Sequence, residues 1–387
     1  MAVISGLLFD LWYIFKGKYI KTGKEKKYKF AFIVHSRNYL DIYRKFPLAR
    51  KLPKDIVLFF MKHLWPITLS KVTGVISSET KKEVPGFVLG ITMPADLMLL
   101  DRPYALKKIR QALYLAKGQG VTIIGLGGLT SSLSKGGLDL LDIPINITTG
   151  HAYTAYNIVQ NLLKLTNIFE VPKESISVTV VGAAGSIGSM SSMLIARESY
   201  HSLTLIDTKR KQDKVKELSE EIKKINSKIV IKISDKISDI LDCDFVITAT
   251  NTAEALVTPD HVSDGMVIID DAQPSDIHPD VLKMENVLVI EAGVVHTPNI
   301  NSNFNYGLKS RTDNFCCMAE LLVLASYGWN EHYVINKATL ENIDHISEMG
   351  KALDFRVASF QNFQESITND KIEKVKKVFC NKHGISF

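Results

Sequence analysis

Short apolar runs rich in β-branched residues alternate along this chain with stretches whose apolar positions recur every three or four residues. Lys29 to Val34, Val88 to Ile91 and Val121 to Gly125 have the first pattern and read as strands. Tyr39 to Arg50 and Ala105 to Ala116 have the second and read as helices, while Asp55 to Leu69 is an apolar segment rich in Phe, Leu and Trp. From about Ser175 onward the strand pattern becomes regular. Ile176 to Val181, Leu203 to Asp207, Ile229 to Ile233, Asp244 to Thr250, Met266 to Asp270 and Val287 to Glu291 follow one another with helical stretches between several of them. An apolar helix from Asn314 to Trp329, closed by Gly328, and two further helical stretches, Leu340 to Ala358 and Ile367 to Val378, complete the pattern. Alternating units of this kind build open, mostly parallel sheets.

The second strand series begins with a phosphate-binding signature. The run Val178 to Val181 stops at Gly182, Ala183, Ala184, Gly185, Ser186, Ile187 and Gly188. Glycines spaced three apart permit a tight turn, close backbone approach to a pyrophosphate, and close packing of the next helix on the strand. The helix from Ser186 to about Glu198 would direct its first NH groups at the phosphates. Leu203 to Asp207 then ends in an acid about 20 residues after the loop, where a carboxylate meets ribose hydroxyls. Thr250, and Gly293 with Val294 and Val295, end strands at the same sheet edge and are expected to line the cofactor crevice.

The expected fold is therefore α/β with two domains, an N-terminal α/β substrate domain and a Rossmann doubly wound parallel sheet, followed by C-terminal helices. The boundaries are a basic amphipathic extension over 1–29, the substrate domain over 30–170, the dinucleotide-binding domain over 171–300, and a helical segment over 301–387 that packs back on the substrate domain.

Composition narrows the class without naming a reaction. A length of 387 residues holds two ordinary domains, and 46% hydrophobic with 23% charged residues is the balance of a folded globular chain. A net charge of +6 is too mild to argue for nucleic acid, though it favours an acidic carrier protein or anionic lipid. Four cysteines, Cys243, Cys316, Cys317 and Cys380, have neither zinc-site spacing nor the density of a disulfide framework, so no metal and a reducing cytoplasm are expected. No apolar run is long enough to span a bilayer, and the N-terminus shows no secretory leader. Val3, Ile4, Leu7, Leu8, Leu11, Trp12, Ile14 and Phe15 nevertheless precede seven lysines between Lys16 and Lys29. This segment fits either an interfacial helix, placing the protein on the inner face of the membrane, or a helix packed on the protein's own body.

Three further stretches carry candidate chemistry. Gly125 to Ser132 follows a strand, which places Gly128, Thr130 and Ser131 at the carboxyl edge of the first sheet, where open sheets bind ligands. Thr148, Thr149 and Gly150 precede an apolar helix as caps or ligand donors. Ordinary turn chemistry would also account for either loop. Asp313 and Asn314 are good caps that would put Cys316 and Cys317 in a first helical turn, where the partial positive charge of the helix end favours a thiolate. Adjacent helical positions point about 100° apart, so the two thiols would not share one cleft. Both also suit small core hydrophobes.

Taken in order, Gly125-Leu-Gly-Gly-Leu-Thr-Ser131, Thr148-Thr-Gly-His-Ala-Tyr-Thr-Ala-Tyr156, Val180 to Ser189, Gly293-Val-Val295 and Cys317-Met-Ala-Glu-Leu-Leu322 through Gly328-Trp329 resemble the long-chain acyl-acyl-carrier-protein reductases of cyanobacteria. The likeness extends weakly to Phe30 through His35 and to Thr339 through Gly350. It implies reduction of a fatty acyl thioester, carried on acyl-carrier protein or coenzyme A, to a fatty aldehyde with NADPH. It also implies a covalent acyl intermediate on the matching thiol, Cys317, and leaves Cys316 to packing. The chain departs from the pattern in its basic N-terminal extension, in the residues after about Asn362, and at Asp207. That acid opposes a 2′-phosphate and favours NADH, whereas Lys209, Arg210 and Lys211 just beyond it could bind the phosphate. Two other readings compete: a shikimate-dehydrogenase-like alcohol/ketone oxidoreductase using Lys135 in acid/base chemistry, and a non-catalytic nucleotide- and membrane-binding protein.

Overall fold

The structure is a computed structural model that describes residues 29–252, 254–303 and 307–385. The amphipathic lysine-flanked segment before Lys29 lies outside the described residues. The chain divides into two compact units. Among the described residues the first comprises 29–150 with Thr297–Asn336 and Met349–Phe355, and the second comprises His151–His296, Lys337–Glu348 and 356–385. The segment bearing Cys316 and Cys317 thus belongs to the first unit, and the last helix, Asn369–Lys382, to the second.

The strands of the first unit, in chain order, are β1 (Phe30–Ser36), β2 (Ile67–Thr73), β3 (Gly86–Pro94), β4 (Ile123–Leu126) and β5 (Asn146–Thr148). Those of the second are β6 (Ser177–Val181), β7 (Ser202–Ile206), β8 (Val230–Ser234), β9 (Phe245–Thr248), β10 (Val267–Asp270), β11 (Leu288–Glu291) and β12 (Val294–His296). After these come β13 (Asn301–Ser302) and β14 (Asp313–Phe315) in the first unit and β15 (Arg356–Val357) in the second.

The first unit is built on a six-stranded sheet ordered β13-β2-β3-β1-β4-β5. Its β3, β1, β4 and β5 run parallel, and β2 pairs antiparallel with β3. Every residue of β3 is buried, which is the signature of a parallel strand covered on both faces. The helix Arg102–Gly118 covers one face with Ile109, Ala112, Leu113 and Ala116, all fully buried against Ile33, Leu89 and Ile124. Helix Cys316–Ser326 lies against β4, where Gly125 leaves room for Leu321.

The second unit holds a six-stranded all-parallel sheet ordered β11-β10-β9-β6-β7-β8. Reading outward from β6, the chain adds β7 and β8 on one side, then returns to add β9, β10 and β11 on the other, so the strand order reverses at the β6/β9 junction. That junction is where dinucleotides bind in this architecture. The C-terminal helix Asn369–Lys382 inserts Phe379 between Phe169 and Phe245, with ring centroids 4.9 and 5.5 Å away. The residues beyond Asn362 therefore complete the hydrophobic core of the second unit.

Several elements differ from expectation for physical reasons. Tyr39 to Arg50 is not one helix: Pro47 splits it into short turns, Tyr39–Asp41, Ile42–Lys45 and Pro47–Lys51. Asp55 to Leu69 divides at Pro66 into the helix Lys54–His63 and strand β2. The helix expected to reach Ala358 ends at Ala352, and Arg356–Val357 is a strand paired with β12. Val294 and Val295 lie in that same antiparallel pair and do not end a strand of the parallel sheet. No helix among the described residues is long and apolar enough to cross a membrane.

Candidate active site

In the first unit the glycine loop and the Thr148–Gly150 loop follow the adjacent parallel strands β4 and β5 at the carboxyl edge of the sheet, and the second of them meets the start of helix Cys316–Ser326. The loop after β5 carries Gly150 at φ +81°, and a Cβ there would stand 2.3 Å from Cys317 Cβ and 2.4 Å from its Cα. Only glycine permits this contact. It places the Thr148–Gly150 backbone directly on the thiol-bearing residue. Helix Cys316–Ser326 begins with Phe315 as its N-cap and has no side-chain cap. Asp313 and Asn314 are not caps: both lie in β14, and Asn314 donates from Nδ2 to Thr297 Oγ1 at 2.6 Å. The cysteines nevertheless occupy the first turn. Cys316 is 1% exposed, whereas Cys317 is the one cysteine of the four that is partly exposed.

Glu320, one turn into the helix and fully buried, holds the two segments together. Its Oε1 accepts from Gly150 N at 3.1 Å and from the Thr148 hydroxyl. A lone acid in an otherwise apolar helix was the available sequence signal for this role, since a buried carboxylate needs partners. Thr149 donates its backbone NH to Val334 O at 3.1 Å, while its buried hydroxyl has no partner.

The glycine loop after β4 is organised around His35. Leu129 N donates to His35 Nε2 at 3.1 Å, which leaves the ring proton on Nδ1, donating to Ser36 O at 3.0 Å. Desolvation lowers the pKa of this ring and keeps it neutral. Gly128, at φ +54°, leaves room for Nε2, and a Cβ there would lie 2.6 Å from it. Thr130 is buried and donates to Gly127 O at 2.8 Å, and Ser131 is also buried. Lys135 is mostly exposed and paired with Asp139 at 3.1 Å, a solvated surface ion pair.

The second unit holds the nucleotide loop. Gly182 has φ +85°, and a Cβ would reach 2.6 Å from Ala249 O; at Gly188 it would reach 2.3 Å from Gly182 O. Ala184, Gly185, Ser186 and Ile187 are partly exposed where helix Ser186–Ala196 begins, which leaves the loop backbone accessible to a phosphate. Asp207, just past β7, accepts from Ala184 N at 2.9 Å and from Thr208 N at 2.8 Å, tying the acid to the loop. Lys211 pairs with it at 3.3 Å, and Lys209 and Arg210 are exposed. Thr250 lies beside Gly182 at the reversal point. These residues fit a nicotinamide dinucleotide.

Sequence reasoning missed the polar cluster at the ends of β9 and β10. Asp270 is buried and accepts from the Thr248 and Ser275 hydroxyls, each at 2.6 Å. Burial pushes its pKa up to about 7, against the pull of those hydrogen bonds, and the neighbouring charge of Asp276 adds to the rise. Asp271 is raised well above the usual range, first by burial and then by the Asp270 and Glu291 charges. Asp276, fully buried, accepts from Thr250 and is also raised by burial. Gly293 adjoins this cluster, since a Cβ there would lie 2.9 Å from Asp271 Oδ1. Asn157 secures the same loop by donating to Ala292 O at 2.7 Å and Val294 O at 3.0 Å. Among the described residues no group of three or more His, Cys, Asp or Glu side chains is arranged to hold a metal ion.

The profile of the family described as Shikimate / quinate 5-dehydrogenase matches residues 165–293. That span is the sheet and loops of the second unit. The chain is 24% identical over 367 residues to the aminotransferase PigE of Serratia sp. (strain ATCC 39006), a match covering 91% of this chain and 42% of that protein. It thus spans less than half the length of that relative. It is 25% identical over 312 residues to the long-chain acyl-[acyl-carrier-protein] reductase of Synechococcus elongatus, covering 76% of this chain and 88% of the other. Among solved structures, the nucleotide-binding domain of glutamyl-tRNA reductase from Thermoplasma volcanium aligns with 34% of this chain and 82% of its own, at 19% identity and a TM-score of 0.26. The second unit is a dinucleotide-binding domain of the kind used by NAD(P)-dependent oxidoreductases.

The Asp270 carboxyl gives this unit a pH signature. Its pKa rises from the ordinary 3.8 to about 7 on folding, so its stabilisation is complete below about pH 4 and is lost as pH climbs to about 7. Asp270→Asn carries no such titration. Its melting temperature relative to the wild type is expected to increase steadily over that interval in thermal melts; a difference that does not change with pH would contradict the assignment.

Proposed function

We propose that the protein reduces a fatty acyl thioester, carried on acyl-carrier protein or coenzyme A, to the aldehyde through an acyl group held on Cys317. The observation that carries this reading is the packing of Gly150 against Cys317, which gives a partly exposed thiol in the first turn of a helix a fixed polar backbone at its side. The 25% identity to a protein named as an acyl-carrier-protein reductase supports the same substrate class.

In this mechanism the Cys317 thiolate attacks the thioester carbon, and the tetrahedral oxyanion collapses with loss of the carrier thiolate, which takes up a proton. The acyl group remains on Cys317. We assign the unpartnered hydroxyl of Thr149 as donor to the acyl carbonyl oxygen, the atom on which charge develops. Glu320 fixes the register of that loop through Thr148 and Gly150. A nicotinamide dinucleotide, which the Gly182–Gly188 loop and Asp207 would hold, would supply the hydride equivalent for reduction of the acyl group. Cys317 then takes back the sulfur electron pair as thiolate and the aldehyde leaves, so acyl thioester, hydride and one proton balance against aldehyde and free carrier thiol.

The cofactor is read as NADH. Asp207 turns its carboxylate toward the loop by way of Ala184 N, so a 2′-phosphate on the neighbouring ribose would meet a negative charge, while hydroxyls would meet an acceptor. The nearest of the three cations, Lys211, is already paired with Asp207.

Two measurements test these assignments. Intact mass after incubation with a long-chain acyl-CoA, without reductant, is expected to show one acyl adduct on the wild type and on Cys316→Ala and none on Cys317→Ala. An adduct persisting in Cys317→Ala, or absent from the wild type, contradicts the mechanism. Initial rates at equal, subsaturating cofactor are expected to favour NADH by about tenfold, a preference that Asp207→Ser narrows; faster turnover with NADPH contradicts the cofactor reading and leaves the thiol chemistry untouched.

A further inference from the structure

Helix Lys54–His63 in the first unit has two apolar faces, of which the protein uses one. Val57 and Met61 are 3% and 1% exposed and pack with Ile42, and Met61 O accepts from the Thr92 hydroxyl at 2.7 Å. On the other side Ile56, Phe59 and Phe60 are 43%, 61% and 50% exposed. Their spacing of three and four residues puts them on one stripe. Phe59 and Phe60 sit edge to face at 5.8 Å, so the two rings form a single protruding apolar surface. Leu48 and Leu52, in and just after the turn that precedes the helix, are also exposed. Soluble chains leave such contiguous patches open where something else covers them.

The charges around the stripe identify the covering surface. Arg50, Lys51 and Lys54 accompany it with Asp55 as the one acid between Arg50 and His63, while Lys62 is paired with Asp101 at 3.1 Å. Lys54 and Arg50 lie over the rings of Tyr39 and Tyr43, at 4.9 and 5.8 Å from the centroids, so their cationic heads are held beside apolar surface at the start of the helix. Aromatic and aliphatic side chains that protrude between cations match the boundary of an anionic bilayer, where rings enter the acyl region and cations meet phosphates. An acidic protein partner would use the cations but has no need of two projecting phenylalanines.

We propose that the outer face of helix Lys54–His63, led by Phe59 and Phe60 and flanked by Lys51 and Lys54, docks on an anionic lipid bilayer. This surface lies on the helix Lys54–His63 and does not depend on the acyl-transfer reading.

The test is co-sedimentation of the full chain with vesicles of phosphatidylcholine alone and of phosphatidylcholine mixed with phosphatidylglycerol. Wild type is expected to pellet with the mixed vesicles and to stay in solution with the neutral ones. Phe59→Ser/Phe60→Ser is expected to weaken partitioning by at least about tenfold, the factor that burial of one such ring supplies. Lys51→Glu/Lys54→Glu is expected to weaken it in the same direction, by charge alone. Because all four side chains are exposed, both variants should keep the wild-type melting temperature. The proposal is overturned if wild type ignores the mixed vesicles or if the serine variant pellets as well as wild type. It is equally overturned if light scattering shows a wild-type dimer that the serine substitutions dissociate, or if wild type binds an acidic carrier protein through these residues and not vesicles.

Discussion

The first unit depends on one contact that excludes a side chain. Gly150 backs onto Cys317 so closely that a methyl group would overlap it, and φ +81° at the same residue rules out most alternatives even if space were made. Such proximity between a loop and a helix end has to be enforced, because backbone polar groups brought together without partners repel. Glu320 supplies the enforcement by accepting from Gly150 N and the Thr148 hydroxyl in a fully buried setting. Losing either partner would leave a buried carboxylate short of donors, a larger cost than the hydrogen bond itself. The consequence for chemistry is a thiol whose neighbours are fixed before any substrate arrives.

A comparable constraint governs the second unit. Gly182 and Gly188 are pressed against Ala249 O and Gly182 O, so the turn between β6 and its helix closes on its own backbone and leaves Ala184 through Ile187 accessible at the helix end. Asp207 then locks the loop from the next strand. Beside the sheet reversal the chain tolerates two buried carboxyls, Asp270 and Asp276, next to the half-buried Asp271, with hydroxyl donors from Thr248, Thr250 and Ser275 taking part of the load. Their raised pKa values mark a place where stability is given up at neutral pH, a pattern associated with functional edges of a sheet.

Much of this was legible in the sequence where one local rule dominates. The parallel strands announced themselves as β-branched runs, and the glycine loop followed by an acid required a single strand, turn and helix order that the structure contains. Elements held by partners distant in sequence were not legible. Strand β5 has only three residues and exists because β4 offers a parallel edge. Asp313 and Asn314 look like helix caps, yet β14 and the Thr297 hydroxyl claim them. Gly150 was a candidate in a loop that ordinary turn chemistry also explains, but its contact with Cys317, far along the chain, had no local signal. Glu320 was visible only as an oddity in an apolar helix, and the role of Asn157 in holding the Gly293 loop had no sequence signal beyond a polar residue on a buried face.

The account rests on Cys317 carrying the acyl group as a true intermediate, and single-turnover chemistry addresses that directly. Acyl-enzyme prepared with radiolabelled acyl-CoA and freed of excess thioester should, on mixing with NADH, lose its label as fatty aldehyde in one-to-one yield. The rate of that loss should be no slower than steady-state turnover. Label that stays on the protein, or leaves as fatty acid while added acyl-CoA is reduced at the full rate, would show that the Cys317 adduct lies off the reaction path.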